Sequence, residues 1–390
     1  STVPVSLTWE KSTTYDIGLD LDFFNNRLSF TGDLYRRNTT DMYTASVALP
    51  SVYGTGSPKG NNAEMKTEGW EVSLAWRDSF KLGGKPFDYS IKAMVWDSKS
   101  VITKYVNDTG SLGTVKGYIE NGGSPSSYYV GMTVGEIWGY TVAGLFKDQA
   151  DIDSSAIHDF VQASDKVTRP GQVKIADLDG NGFIDSGNFA VNDHGDLRII
   201  GNQSPRYHYG LNLSASWNGI GLSVFLQGVG KHDWYPGSDA GMFWGKYGRP
   251  FFALIPGIHN YTDDMYSAER NNWDTAYWPR MTTYQSNGVK NWTRLLEIPN
   301  TRYLQSAAYL RVKNIQLDYS FPKHICSAIR LQGLKIYVNA ENLFTFTPLH
   351  KYAPNFDPEG LAYDADFASA ADGYTYPILK SVTVGINITF

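Results

Sequence analysis

The sequence predicts an all-β protein of antiparallel strands, of the kind that cross a membrane as a β-barrel, and three observations support it. Apolar and polar residues alternate with a period of two in one stretch after another, short turns alternate with long connections, and aromatic residues gather at the ends of the apolar faces. The pattern is plainest at the C-terminal end, SVTVGINITF. There Val382, Val384, Ile386, Ile388 and Phe390 are apolar, while Ser381, Thr383, Gly385, Asn387 and Thr389 are small or polar. In a soluble sandwich the apolar face would pack on a second sheet, and in a barrel it would face lipid.

The other strands are read the same way. Ile17, Leu19, Leu21 and Phe23 alternate with Asp16, Gly18, Asp20 and Asp22, and Asn25-Asn26 then supplies a pair that tolerates the positive φ of a tight turn. The return strand sets Leu28, Phe30 and Leu34 against Ser29, Thr31, Asp33 and Tyr35. Trp70, Val72, Leu74 and Trp76 alternate with Glu71, Ser73, Ala75 and Arg77; after a Gly-Gly-Lys-Pro turn, Phe87, Tyr89, Ile91, Ala93 and Val95 alternate with Asp88, Ser90, Lys92, Met94 and Trp96. Tyr207 to Trp217 repeats the device, and Asn218-Gly219 returns the chain through Leu222, Val224 and Leu226. Further strands are expected at 305–320, 331–346 and 378–390, giving roughly ten strands of the 9–11 residues a tilted membrane strand needs. The long connections fall at 40–66, 98–135, 147–204 and 232–304. Loops of that length suit the outer side of a membrane barrel and serve no purpose in a sandwich.

Composition narrows the classes without choosing among them. No apolar run approaches the roughly 20 residues of a membrane helix, and alternating strands leave no hydropathy peak. Aromatics make up 14% of the chain, which suits interfacial girdles and sugar-stacking surfaces equally. The net charge of −5 is spread without long basic runs, which argues against nucleic acid as a partner. The single cysteine, Cys326, excludes an internal disulfide and a thiolate metal cluster and reads as structural. The opening residues lack the charged and apolar regions of a signal peptide.

The most specific short motif is DLDGNGFID at 177–185. Asp177, Asp179 and Asn181 stand at the first, third and fifth positions of a calcium loop, Gly182 at the sixth, Phe183 where a backbone carbonyl is used, and Asp185 at the ninth. The twelfth position is Asn188, and the next acids are Asp193 and Asp196. The loop is therefore either a Ca²⁺ site with a displaced last ligand or a plain acidic turn held by Asx bonds. Nothing points to catalysis: the histidines lack metal-ligand spacing, and no nucleophile or phosphate motif is present. Rings crowd the connection at 232–304, notably Trp234, Tyr235, Phe243, Trp244, Tyr247, Trp273, Trp278 and Trp292. They form either a local core or a stacking surface for substrate or partner. A soluble β-rich carbohydrate-binding or glycan-hydrolysing domain is the competing reading.

Six segments, in order, resemble one family. They are LTWEKSTTYDIGLDLDFFNNRLSFTGDLYRRNTTDM near the start, NNAEMKTEGWEVSL at 61–74, RPGQVKIADLDGNGFID at 169–185, IIGNQSPRYHYGLNLSASWNGIGLSVFLQG at 199–228, and YLRVKNIQLDYSFP and VNAENLFTFT near the end. Together they are similar to SusC/RagA-type TonB-dependent outer-membrane transporters of Gram-negative bacteria. The resemblance implies a plugged barrel of about 22 strands that imports an oligosaccharide or peptide, without bond chemistry. It also implies a SusD-like surface lipoprotein as partner, energy from the TonB complex, and contact with outer-membrane lipid, and it allows a dimer of transporter–lipoprotein pairs. Residues 1–390 match only the C-terminal part of the barrel, so the plug, TonB box and N-terminal strands are expected before Ser1. No cofactor is required, though Ca²⁺ at 177–185 is allowed. The family's acidic loop runs directly into an IIG segment; here NFAVNDHG intervenes, which makes Asp196 the candidate last ligand. Asp20, Asp22, Arg77 and Asn212 are expected to line the interior. Each unpaired backbone group on an open sheet edge in lipid costs several kcal/mol, so such a fragment needs further strands to close it.

Overall fold

Alternation of β-branched and aromatic residues with small polar ones builds one large sheet in the computed structural model, which describes residues 7–45, 52, 59–113, 128–158, 168–236, 243, 264–280, 299–361 and 378–390. Its first strands are β1 (Lys11–Phe23), β2 (Leu28–Ala45), β3 (Lys59–Leu82) and β4 (Lys85–Lys104), and a long connection leads to the remaining five. That connection holds β5 (Glu136–Tyr140), β6 (Val142–Leu145), β7 (Val173–Ile175) and β8 (Leu197–Asn202). The wall resumes with β9 (Arg206–Trp217) and β10 (Ile220–Lys231); β11 (Asp233–Trp234) and β12 (Gln305–Ser306) lie in the next connection. β13 (Tyr309–Ser320), β14 (Gly333–Phe346) and β15 (Ser381–Thr389) complete it. The nine long strands pair antiparallel in the order β1-β2-β3-β4-β9-β10-β13-β14-β15, each beside its predecessor in the wall. This is an up-and-down meander with β1 and β15 at its edges.

The register joins the alternation of single strands into continuous rows. Phe23, Leu28, Trp76, Ile91, Leu213, Val224, Ile315, Ala340 and Val382 stand opposite one another across all nine strands. One residue away, Asp22, Ser29, Ala75, Lys92, Asn212, Phe225, Asn314, Glu341 and Ser381 form the facing row, polar at most positions. Asp20, Asp22, Arg77 and Asn212 therefore share one face, as expected from their alternation. The apolar face is left open: Ile17 is 78% exposed and Val384 73%. Burying such a side chain is worth about 1.5–3 kcal/mol, so a face of this extent has to meet an apolar surrounding.

Tight turns close one end of the sheet. Gly83 and Gly84 take φ of 59° and 78°, and Asn218 and Gly219 49° and 85°, the left-handed pairs that match strand twist in two-residue hairpins, while the four-residue turn between Phe23 and Leu28 carries three left-handed residues, Phe24, Asn25 and Asn26, at 54°, 54° and 64°. On the polar face the Tyr337 ring lies across Gly385, where an added Cβ would stand 2.2 Å from Cζ. Glycine is required there because the ring occupies the space a side chain would take.

Three strands are longer than the alternation indicated. β2 has 18 residues, β3 24 and β4 20, so the connections expected at 40–66 and 98–135 begin later or end earlier. The extensions, Asn38 to Thr44 against Gly60 to Lys66, are mostly polar, and their few apolar residues, Met42, Tyr43, Ala63 and Met65, keep no alternation. An extension that packs on the connections rather than on lipid has no continuous apolar face to maintain, so period-two reading stops where lipid would stop.

The buried core lies in the connections. Leu112, Met132, Trp138, Tyr140, Leu197, Trp234, Phe243, Trp278, Tyr303, Leu349 and Phe356 belong to one buried cluster. β5 pairs with β8, β6 with β7 and β11 with β12 within it. The molecule thus buries apolar residues at the mouth and presents them on its wall.

Candidate functional site

The acidic loop is delivered by β7. His158, buried at its side, donates from Nδ1 to the Ala156 carbonyl at 2.8 Å and accepts the Ile175 N–H on Nε2 at 3.0 Å, so it is held neutral and burial pushes its pKa down. Ile157 pairs with the far side of the loop, accepting from Ile184 and donating to the Gly182 carbonyl. The Asp177 carboxylate accepts the N–H groups of Gly180 at 2.7 Å and Gly182 at 2.9 Å, and these donors, Gly182 first, lower its pKa. Asp179 accepts from Asn181 N–H, and the Asn181 side-chain amide reaches Asp179 and Asp185 at 3.1 and 3.2 Å.

Asp196 closes this arrangement. Its carboxylate is fully buried and accepts Leu178 N–H at 2.6 Å and Asp185 N–H at 3.0 Å. Burial, with the charges of Asp179 and Asp177 added, raises its pKa. Carboxylate oxygens of Asp177, Asp179 and Asp196 lie within 4.8 Å of one another. The inserted residues fold into a turn of their own, with Ala190 and Asp193 bridged and Asn188 bonded to Asp193, so Asp185 and Asp196 meet despite the insertion. Asp185 uses its side chain on Gly187 N–H at 2.7 Å and Asn181, and Phe183 leaves its ring 47% exposed. Three oxygen-bearing side chains converging in this way suit a hard cation.

The aromatic connection is a packed body. Trp234, Tyr235, Phe243 and Trp278 are buried in the cluster, and Trp273 packs at its edge. Phe243 meets Trp278 at 5.2 Å and Trp234 meets Phe356 at 4.9 Å between centroids, while Tyr277 stacks on Tyr352 at 3.6 Å. These rings serve one another, which fits the local-core alternative. Trp244, Tyr247 and Trp292 lie outside the described residues.

Two features escaped sequence reading. Arg311, 3% exposed on β13, bonds Asp357 and Glu359 of the connection after β14, with Lys313 and Tyr309 also on Glu359. The wall also aligns Asp33, Glu71, Trp96 and His208 in one row of the polar face. Alternation assigns each of these residues its face, but only the register shows which of them are neighbours.

The family profile described as "TonB dependent receptor-like, beta-barrel" matches residues 2–229, more than half the chain. The chain belongs to the TonB-dependent receptor β-barrel family. It is 25% identical, over 99% of its length, to TonB-dependent receptor P3 of Formosa agariphila, covering 34% of that protein. It is 23% identical to TonB-dependent receptor SusC of Bacteroides thetaiotaomicron, again over 99% of this chain and 32% of SusC. The solved RagAB peptide transporter superposes with a TM-score of 0.61 over 98% of this chain and 36% of that one, at 20% identity. The chain thus spans about a third of the length of its TonB-dependent receptor relatives. The nine-stranded meander is the wall of a β-barrel, and the share of about a third fits its C-terminal portion.

Proposed function

We propose that this chain is the C-terminal part of the barrel of a TonB-dependent outer-membrane transporter that imports a large nutrient, oligosaccharide or peptide. The observation that supports this most is the apolar face of the wall, exposed at Ile17, Leu19, Ile91, Leu222, Val382 and Val384 while the buried core sits in the long connections. A soluble domain would invert that distribution. Further strands of the same protein complete the sheet at the free edges of β1 and β15, because an open edge in lipid leaves backbone groups unsatisfied. The aromatic connections form a rigid rim against which a SusD-like lipoprotein docks, and the TonB complex acts through the part that precedes this chain. The test is uptake of labelled oligosaccharides and peptides by cells carrying or lacking the full gene. Uptake that requires both the gene and TonB supports the reading; uptake that survives loss of TonB contradicts it.

The same reading includes Ca²⁺ in the acidic loop, held by Asp177, Asp179 and Asp196 with Asn181 beside them. Support comes from the calcium-loop spacing and from the convergence of the three carboxylates. Bound there, the cation would tie β7 to β8 and stiffen the mouth. Calorimetric titration of the full-length protein with CaCl₂ should show heat that Asp196→Asn and Asp177→Asn remove; no heat in the wild type contradicts the assignment.

A further inference from the structure

The apolar side of the wall ends in a basic group at the end of the sheet that carries the long connections. On β1, β2 and β3 its last apolar row is Ile17, Leu34 and Trp70, and the next row on the same face is Tyr15, Arg36 and Glu68, continued on β4 by Lys99. Two residues along a strand from an apolar position return to the same side, so these charges stand above the apolar face and not over the polar one. The Arg36 side chain is 53% exposed beside Leu34 at 65%. One row further, Lys66 stands between Asn38 and Val101.

Glu68 gathers these cations without cancelling them. Its Oε1 lies 3.6 Å from Arg36 Nε and its Oε2 3.2 Å from Lys66 Nζ. Lys99, directly opposite Glu68 and exposed, forms no ion pair with any of the described residues. The nearest other acid on this face, Asp97, is already committed: Arg206 donates from Nε to Oδ1 at 2.5 Å and from its Nη2 to Oδ2, and Asp97 is 3% exposed. Arg36, Lys66 and Lys99 therefore share one carboxylate, and the surplus is positive. On β10, β13 and β14 the same face carries Gly228, Leu310 and Phe346 at its mouth end, so a row of cations is not general to the rim.

The rest of the barrel leaves this surface free. Further strands add at β1 and β15, whereas β2, β3 and β4 each have a neighbour on both sides, and whatever fills the barrel meets the polar face. A soluble anion would use the cations and leave the apolar row beneath them bare. A lipid with a phosphate headgroup uses both, laying its acyl chains on Ile17, Leu34 and Trp70 while the phosphate accepts from Arg36, Lys99 and the Tyr15 hydroxyl. We propose that Arg36 and Lys99, with Lys66 and Tyr15 beside them, bind the phosphate of an outer-leaflet lipid. The site rests on the barrel wall and is independent of what the transporter imports.

The test uses the full-length protein in non-ionic detergent and two probes, purified lipid A and the same lipid A stripped of its phosphates. Calorimetry should show the phosphorylated lipid binding roughly tenfold tighter to the wild type, the effect of two cations on one anionic headgroup. In the Arg36→Gln/Lys99→Gln double variant the two affinities should become equal, with the dephosphorylated lipid bound as before. Arg37→Gln is the control for position: the next side chain on β2 turns to the other face, where it bonds Thr14, and its loss should leave the preference intact. Glu68→Gln removes a carboxylate from beside the phosphate and should tighten the phosphorylated lipid a few-fold. Equal binding of both lipids by the wild type, a preference that persists in the double variant, or one that Arg37→Gln removes as well overturns the site. Full competition by inorganic phosphate would assign the cations to a soluble anion and overturns it too.

Discussion

Replacing Arg311 with alanine should release the connection after β14 from the barrel wall. The guanidinium is 3% exposed, and its partners Asp357 and Glu359 are 14% and 12% exposed. Removing one member of so buried a set strands the opposite charges and costs about 3–5 kcal/mol. Lys313 remains on Glu359, and Ile378 N–H remains on Asp357, so the lower end of that range, about 3 kcal/mol, applies here. The affected unit is local: Ala353, Phe356 and Gly360 have amides bonded within the connection, to the Leu349, Ala353 and Asp357 carbonyls. If they open as one unit, 3 kcal/mol corresponds to exchange on the order of a hundredfold faster. Hydrogen–deuterium exchange on the full-length protein reads this directly, with β9 amides as the internal control. Arg311→Met combined with Asp357→Asn and Glu359→Gln removes the charges together and should cost less than Arg311→Ala alone. Exchange in Arg311→Ala within about threefold of wild type would refute the reasoning, because the set would then contribute little to holding the connection.

Three other outcomes follow from the same structure. Leu213→Arg, in the middle of the apolar row, should destabilise the barrel by about 2–4 kcal/mol in a bilayer, whereas Asn212→Arg on the other face should change it little; urea unfolding in liposomes compares them. Gly385→Val should force the Tyr337 ring aside, at a cost of about 1–3 kcal/mol in the same assay. Burial pushes His232 down to about 4, below its ordinary value, so the unfolded chain takes up a proton first as the pH falls. Stability is then full above about pH 6.5 and declines towards pH 4 by about 3 kcal/mol, and His232→Gln should flatten that part of a pH series of denaturant midpoints.

The wall was legible because lipid imposes a strict rule on sequence. Each strand from Ile17 to Phe23 or from Val382 to Ile388 must turn apolar side chains to one side, and that period is visible without a partner strand. Where the rule lapses the reading lapsed: the extensions of β2 and β3 are mostly polar, keep no period of two and looked like loops. The acidic loop was legible through spacing, and the turn that the inserted residues make, with Ala190 bridged to Asp193, explains why Asp196 reaches it across the insertion. The aromatic connection gave its composition but not its packing, since rings that bury one another and rings that await a ligand have the same sequence. Arg311 and the Asp33–Glu71–Trp96 row were hidden for a related reason. Arg311 and Asp357 are 46 residues apart, Asp33 and Glu71 38, and Glu71 and Trp96 25, and one sequence does not state which strands are adjacent.

Cysteine scanning of β9 tests the central claim most directly. In the full-length protein in its native outer membrane, on a Cys326→Ser background, single cysteines are placed from Leu211 to Ser216 and probed with a water-soluble and a lipid-soluble thiol reagent. Positions 212, 214 and 216 should react with the aqueous reagent, and 211, 213 and 215 with the lipid-phase one, following the two faces set by the register. Uniform aqueous reactivity at all six positions, or protection of the apolar positions from both reagents, would contradict a lipid-facing barrel wall.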